Sequence, residues 1–223
     1  MDHSLAPGLA LIFDMDGVLV DSNAGHKEAW ASFSRQFGME PTEAMLESMF
    51  GRRNDEIVRY FCGEGLTAAQ VAELGAAKER LFRAAMEGRV EELLKPGLRA
   101  FLERHREAPM AVASNAERDN VRLILEEANL TPYFRAVVDG YQVRRPKPFP
   151  DIYLRAAELL KTPPVDCIVF EDSVSGVQAA RAAGMRVAGV GSTHAELPGA
   201  ALSVANFLDP ELETWLEAQS RAV

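Results

Sequence analysis

Short apolar runs recur along the sequence, each too brief to be a helix and most of them apolar on both faces. LALIF (9–13), MAVAS (110–114), AVVD (136–139), CIVFE (167–171) and RVAGV (186–190) are of this kind, with a weaker run at LSVAN (202–206). Strands that are hydrophobic throughout are buried on both faces, as in parallel sheets. Between them lie helical patterns: GLRAFLERHRE, ERDNVRLILEEANL, FPDIYLRAAELL and SGVQAARAAG. Strand–helix alternation of this form predicts an α/β protein with a doubly wound parallel sheet and helices on both sides.

Residues 23–93 break the rhythm. They hold no convincing strand, only helical periodicity, and Val71, Leu74, Leu81, Phe82, Met86, Val90 and Leu93 keep a three-and-four spacing that predicts one long helix. The sequence therefore predicts two domains: a core from residues 1–22 and 94–223, and an inserted helical domain over 23–93. At 223 residues, 48% hydrophobic and 26% charged, the chain is long enough for both.

The net charge of −9 argues against nucleic acid or an anionic membrane as the main partner. Cys62 and Cys167 stand far apart in apolar contexts, which predicts buried thiols and a reducing compartment. No apolar run approaches the roughly 20 residues of a membrane span, and the first residues lack a signal-peptide pattern. A cytoplasmic protein is expected.

In open α/β sheets the loops at the carboxyl ends of the strands converge on a ligand crevice. Asp14 and Asp16 follow the first run, Ser114 and Asn115 the second, and Glu171, Asp172 and Ser173 the fourth; Lys147 stands in the RRPKPFP loop after the third. Four acids, a hydroxyl and a lysine at one end of a sheet suit a divalent cation and a phosphoryl group. Each piece also has a plainer reading. Asp14–Asp16 could form a turn, Asp172–Ser173 could cap the next helix, Lys147 could be a solvated lysine, and Ser114 with Glu117 has capping-box spacing. Taken in order, each at a strand's end, the four segments are harder to dismiss.

LIFDMDGVLVDS, AVASNA, RPKPFPDIY and VFEDSVSGVQAA together resemble the four ordered motifs of the haloacid-dehalogenase-like phosphotransferases with a helical cap after the first strand. The resemblance implies a Rossmann-like core, a cap domain, Mg²⁺ and a small phosphorylated metabolite. It assigns Asp14 as nucleophile and Asp16 as acid/base. Ser114 and Lys147 would stabilise the phosphoryl oxygens, and Asp14, Asp16 (through its carbonyl), Glu171 and Asp172 would hold the metal. His26, Gly51, Arg52, Arg53, Asn54 and Asn115 become candidates for substrate contact, and cap opening and closing would exclude water.

By pattern the chain is similar to β-phosphoglucomutases and sugar-phosphate phosphatases. The mutases hold a second phosphate with a lysine and an arginine flanking the cap glycine, where Phe50 and Asn54 stand here. They also carry a serine and a lysine where this chain has Ala116 and Glu117. One anion site looks dismantled, which favours a phosphatase over a mutase. A receiver-like phosphoacceptor or a non-catalytic domain is a remote alternative. A monomer or weak oligomer is expected.

Overall fold

The structure is a computed structural model that describes residues 8–47, 54–191 and 197–220. The chain divides into two compact units, Met1–Asp21 with Val90–Val223, and Ser22–Arg89.

The larger unit is built on a six-stranded, wholly parallel sheet. Its strands are β1 (Ala10–Phe13), β2 (Met110–Ala113), β3 (Ala136–Val138), β4 (Cys167–Glu171), β5 (Arg186–Val190) and β6 (Leu202–Val204), in the spatial order β3-β2-β1-β4-β5-β6. All six expected strands are present, and β1, β2 and β4 are buried at every residue. The strand order reverses at β1, the point where a doubly wound sheet opens a crevice beyond its carboxyl ends.

Side chains alternate across β1 because successive residues of a strand face opposite ways. Ala10 and Ile12 pack with Ala111, Ala113, Cys167 and Val169 against the helices that run Asp151–Leu160 and Val174–Ala182. Phe13 faces the other way. It stacks on Phe170 with centroids 4.6 Å apart, and Phe101 and Phe207 close the same aromatic cluster.

The smaller unit is helical: α1 (Asn23–Gln36), α2 (Glu43–Glu47), α3 (Asn54–Cys62) and α4 (Ala68–Met86). Its core joins Trp30 and Phe33 of α1 to Ile57, Val58 and Phe61 of α3 and Val71 of α4. Thr67 caps α4 in a capping box with Gln70. The remaining helices are α5 (Leu98–Arg104), α6 (Arg118–Glu127), α7 (Asp151–Leu160), α8 (Val174–Ala182) and α9 (Pro210–Ser220).

Three local expectations are corrected. The long helix ends at Met86 instead of running to Leu93, because Gly88 takes a left-handed φ of +76° and Glu91–Leu93 form a separate 3-10 turn. Ser114 is not a helix cap: α6 begins after Glu117, which makes no side-chain capping bond. Cys62 is half-buried, whereas Cys167 is fully buried, and both are free thiols. Among the described residues no helix is long and apolar enough to cross a membrane.

Candidate active site

Register brings the acids level. Phe13 pairs with Phe170, so Asp14 at the end of β1 stands beside Glu171 at the end of β4, and the Asp14 N–H donates to the Phe170 carbonyl at 3.0 Å. Phe13 also pairs with Val112, which leaves Ser114 just beyond β2 on the other flank. Ser114 is buried, and its Oγ accepts the Ala116 N–H at 3.1 Å.

After Asp14 the chain turns sharply. The Met15 carbonyl accepts from Val18, Leu19 and Val20, and Gly17 N–H donates to the Val20 carbonyl at 2.8 Å. Gly17 has φ +77°, and a Cβ there would overlap Asp172 Oδ2. Gly176, in the first turn of α8, is held to the same standard, since its Cβ would overlap the Glu171 carboxylate. Both glycines exist to let backbone approach a carboxylate.

Lys147 arrives from the loop after β3. Its Nζ donates to Asp14 Oδ1 and to Glu171 Oε1, each at 2.6 Å, and its side chain is almost wholly buried. The loop is held by Asn115, whose Oδ1 accepts the Lys147 N–H at 3.2 Å, and by a two-pronged Arg145–Asp151 pair at 2.8 and 3.1 Å. Glu171 is the most completely bonded acid. Oε1 takes Lys147 and the Tyr153 hydroxyl (2.7 Å), while Oε2 takes the N–H groups of Asp172 and Ser173 at 2.9 Å and the Ser173 hydroxyl at 3.0 Å. Ser173 is also the N-cap of α8, accepting from Gly176 N–H at 3.0 Å. The plainer reading of Asp172–Ser173 is thus correct for the serine.

The charges do not balance. Asp14, Glu171 and Asp172 each present an oxygen within 4.8 Å of the others, Asp16 acts on two of them, and Lys147 is the one buried cation in direct contact with them among the described residues. Burial, then Glu171, pushes the Asp172 carboxyl up to about 7. Asp14 is also held well above the usual carboxylate range, by burial and by its acidic neighbours against the pull of Lys147. Burial disfavours the charge on Glu171 too, but Lys147 and the further donors outweigh it and keep that acid ionised. Burial likewise opposes the Lys147 charge, and Asp14 and Glu171 overcome it. A hard dication would relieve this excess of buried oxygen charge, and an all-oxygen donor set is what Mg²⁺ takes. The residues present therefore fit that ion.

The other candidates lie in the helical unit. His26 Nδ1 is 2.9 Å from Lys78 Nζ, and its ring stacks on Phe82 with centroids 3.9 Å apart. Asn54 Nδ2 donates to Glu79 Oε1, and Glu79 and Lys78 form a buried pair at 3.0 Å. Phe50, Gly51, Arg52 and Arg53 lie outside the described residues. Two buried polar side chains beside these candidates carry no mark in the sequence pattern. Lys78 falls between Leu74 and Phe82 on the apolar stripe of α4, where a charge is a signal of buried pairing. Tyr153 stands inside the quoted RPKPFPDIY segment, at the third position of α7.

A parallel sheet whose switch point gathers three acids around one lysine has the chemistry of an enzyme site. The comparisons give the family. Residues 9–184 match the model of the haloacid dehalogenase-like hydrolases, and the chain belongs to that family. It is 32% identical to the fructose-1-phosphate phosphatase of Escherichia coli K12, over 78% of this chain and 92% of that protein. It is 31% identical to the β-phosphoglucomutase of Bacillus subtilis 168, over 92% of each. A family IA, variant 3 hydrolase structure from Entamoeba histolytica shares the fold, with a TM-score of 0.83 at 24% identity, covering 93% of this chain and 98% of that one.

Proposed function

We propose that the chain is a phosphatase for a small phosphorylated metabolite, a sugar phosphate by preference, working through a phosphorylated Asp14. The observation that carries the reading is the buried Lys147 bridging Asp14 and Glu171 beside Asp172. A carboxylate oxygen of Asp14 attacks phosphorus, the ester P–O bond breaks, and Asp16 gives its proton to the departing alkoxide. Asp16 then takes a proton from water, the water oxygen attacks phosphorus, and the acyl P–O bond breaks to return Asp14 and release phosphate. Lys147 and Ser114 receive the charge that builds on the phosphoryl oxygens. Asp14, Asp172 and the Asp16 carbonyl would hold Mg²⁺, which supplies Lewis-acid stabilisation of the transferring group, and Glu171 would join them by exchanging one of the donors on its Oε2 for the ion. His26, Asn54 and Asn115 remain in the proposal as substrate-contacting residues, with Gly51, Arg52 and Arg53.

Hydrolysis is preferred to mutase transfer on a specific ground. Glu117, where a mutase keeps a lysine, accepts the Tyr141 hydroxyl at 3.0 Å, so that position offers an acid and no cation to a second phosphate. Asn54, at the mutase arginine position, is engaged with Glu79. The test uses purified protein, Mg²⁺, β-glucose 1-phosphate and a trace of glucose 1,6-bisphosphate, with glucose 6-phosphate and inorganic phosphate followed together. Phosphate release supports the reading, and glucose 6-phosphate without phosphate would establish a mutase instead. Where this sugar is not cleaved, a panel of sugar phosphates and one aryl phosphate decides whether phosphate esters are cleaved at all.

A further inference from the structure

Tyr153 is completely buried, and its hydroxyl donates to Glu171 Oε1 at 2.7 Å. Lys147 Nζ donates to that same oxygen at 2.6 Å and lies 4.9 Å from the Tyr153 ring centroid. The phenol and the ammonium therefore meet at one atom, with the ring forming a wall behind the lysine. A carboxylate oxygen has two in-plane lone pairs, and these two donors occupy both. Oε2 is held by three further donors from Asp172 and Ser173, so the whole carboxylate is fixed in direction. An ammonium has three N–H bonds. Two of those on Lys147 go to Asp14 and Glu171, and the third is directed by where those two acceptors and the ring sit.

A phenylalanine would supply the same ring and the same packing. Among the described residues the hydroxyl bonds only to Glu171. We propose that Tyr153 is a positioning residue for phosphoryl transfer: by holding Glu171 against Lys147, it aims the remaining N–H of Lys147 at the phosphoryl oxygens in the transition state. The inference rests on the reading that Asp14 accepts a phosphoryl group. It assigns Glu171 a second task beside any part in holding a cation, that of orienting the lysine.

The test is Tyr153→Phe in the full chain, with Mg²⁺ and a phosphate ester that the wild type cleaves. Loss of aim acts where charge develops, so kcat falls about tenfold while KM stays within about twofold. Calorimetry supplies a readout apart from turnover. Tetrafluoroaluminate with Mg²⁺, a planar mimic of the transferring group, binds the variant about tenfold more weakly, whereas inorganic phosphate binds both proteins alike. A hydroxyl that serves only packing would lower the unfolding temperature and leave kcat and fluoroaluminate affinity at wild-type values; that result overturns the proposal, as does equal weakening of phosphate and fluoroaluminate. Should the variant not fold, the wild type decides: the Tyr153 hydroxyl proton is expected in slow exchange with water by NMR, close to the Lys147 side chain. Exchange as fast as that of an exposed tyrosine would contradict the arrangement. A wild type that releases no phosphate from any ester and binds no fluoroaluminate refutes the proposed function itself, while an active wild type with an equally active variant refutes this inference alone.

Discussion

Lys147 Nζ lies 2.6 Å from Asp14 Oδ1, and both side chains are nine-tenths buried or more. An ion pair this deep is costly to break from one side, because the partner is left charged and without solvent. Lys147→Met is expected to abolish turnover and to destabilise the chain by about 3 kcal/mol at neutral pH. The loss shrinks as pH falls and the stranded carboxylates take up protons. Urea unfolding at two pH values measures both effects, and a variant as stable as wild type at neutral pH would show the pair to be incidental.

Gly176 is under a different constraint. Any Cβ would enter the Glu171 carboxylate, so Gly176→Ala is expected to cost about 2 kcal/mol and at least tenfold in kcat/KM. Gly17→Ala is expected to behave likewise through Asp172, with strain from its left-handed φ added. Gly65→Ala, where a Cβ meets nothing within 4 Å, is the control and should leave activity unchanged. Three thermal melts with parallel assays settle the comparison.

Mg²⁺ should compete with protons. The Asp172 carboxyl sits at about 7, above the ordinary 3.8, so below neutrality it carries a proton that a cation has to displace. Apparent Mg²⁺ affinity is therefore expected to rise several-fold from about pH 6 to about pH 8, with proton release on binding. Calorimetry in two buffers of different ionisation enthalpy reads the proton directly. An affinity independent of pH would mean that Asp172 is ionised throughout that range. Chelation of Mg²⁺ should remove turnover and leave the fold in place.

A separate pair ties α9 to α5. Glu213 accepts from His105 Nε2 at 3.1 Å and also takes a bond from Arg104. Partial burial pushes the Glu213 carboxyl up, but His105 and Arg104 outweigh it and hold the group below its ordinary 4.5. A lowered carboxyl contributes stability above its unfolded value and loses it as pH falls through the folded one. Glu213→Gln is thus expected to destabilise by about 1 kcal/mol at pH 7, a figure reduced for solvent screening, and to converge on wild type as pH falls well below the ordinary 4.5. Chemical denaturation across that range checks it.

The core was legible because its chemistry is local. Runs such as CIVFE must be buried on both faces, and their ends fix where Asp14, Ser114 and Glu171 emerge. Lys147 could be placed near them only by its loop; that it bridges Asp14 and Glu171 depends on a register set 133 and 24 residues away. Tyr153 reads as one more apolar position of α7, since nothing in a 3.6-residue period distinguishes a buried ring from a buried hydroxyl donor. Lys78 is hidden for the converse reason, a charge on an apolar stripe whose partners His26 and Glu79 come from α1 and α4. The end of α4 is not legible in the pattern because hydrophobic spacing continues through Gly88, where the backbone turns left-handed and the helix does not continue.

The central claim is that Asp14 carries the phosphoryl group. Purified chain with Mg²⁺ and a radiolabelled phosphate ester, quenched in acid within one turnover and digested, tests it most directly. The account predicts hydroxylamine-sensitive label on the peptide containing Asp14, and none, with no turnover, in a folded Asp14→Asn variant. Label on another residue, or steady phosphate release by Asp14→Asn, would contradict it.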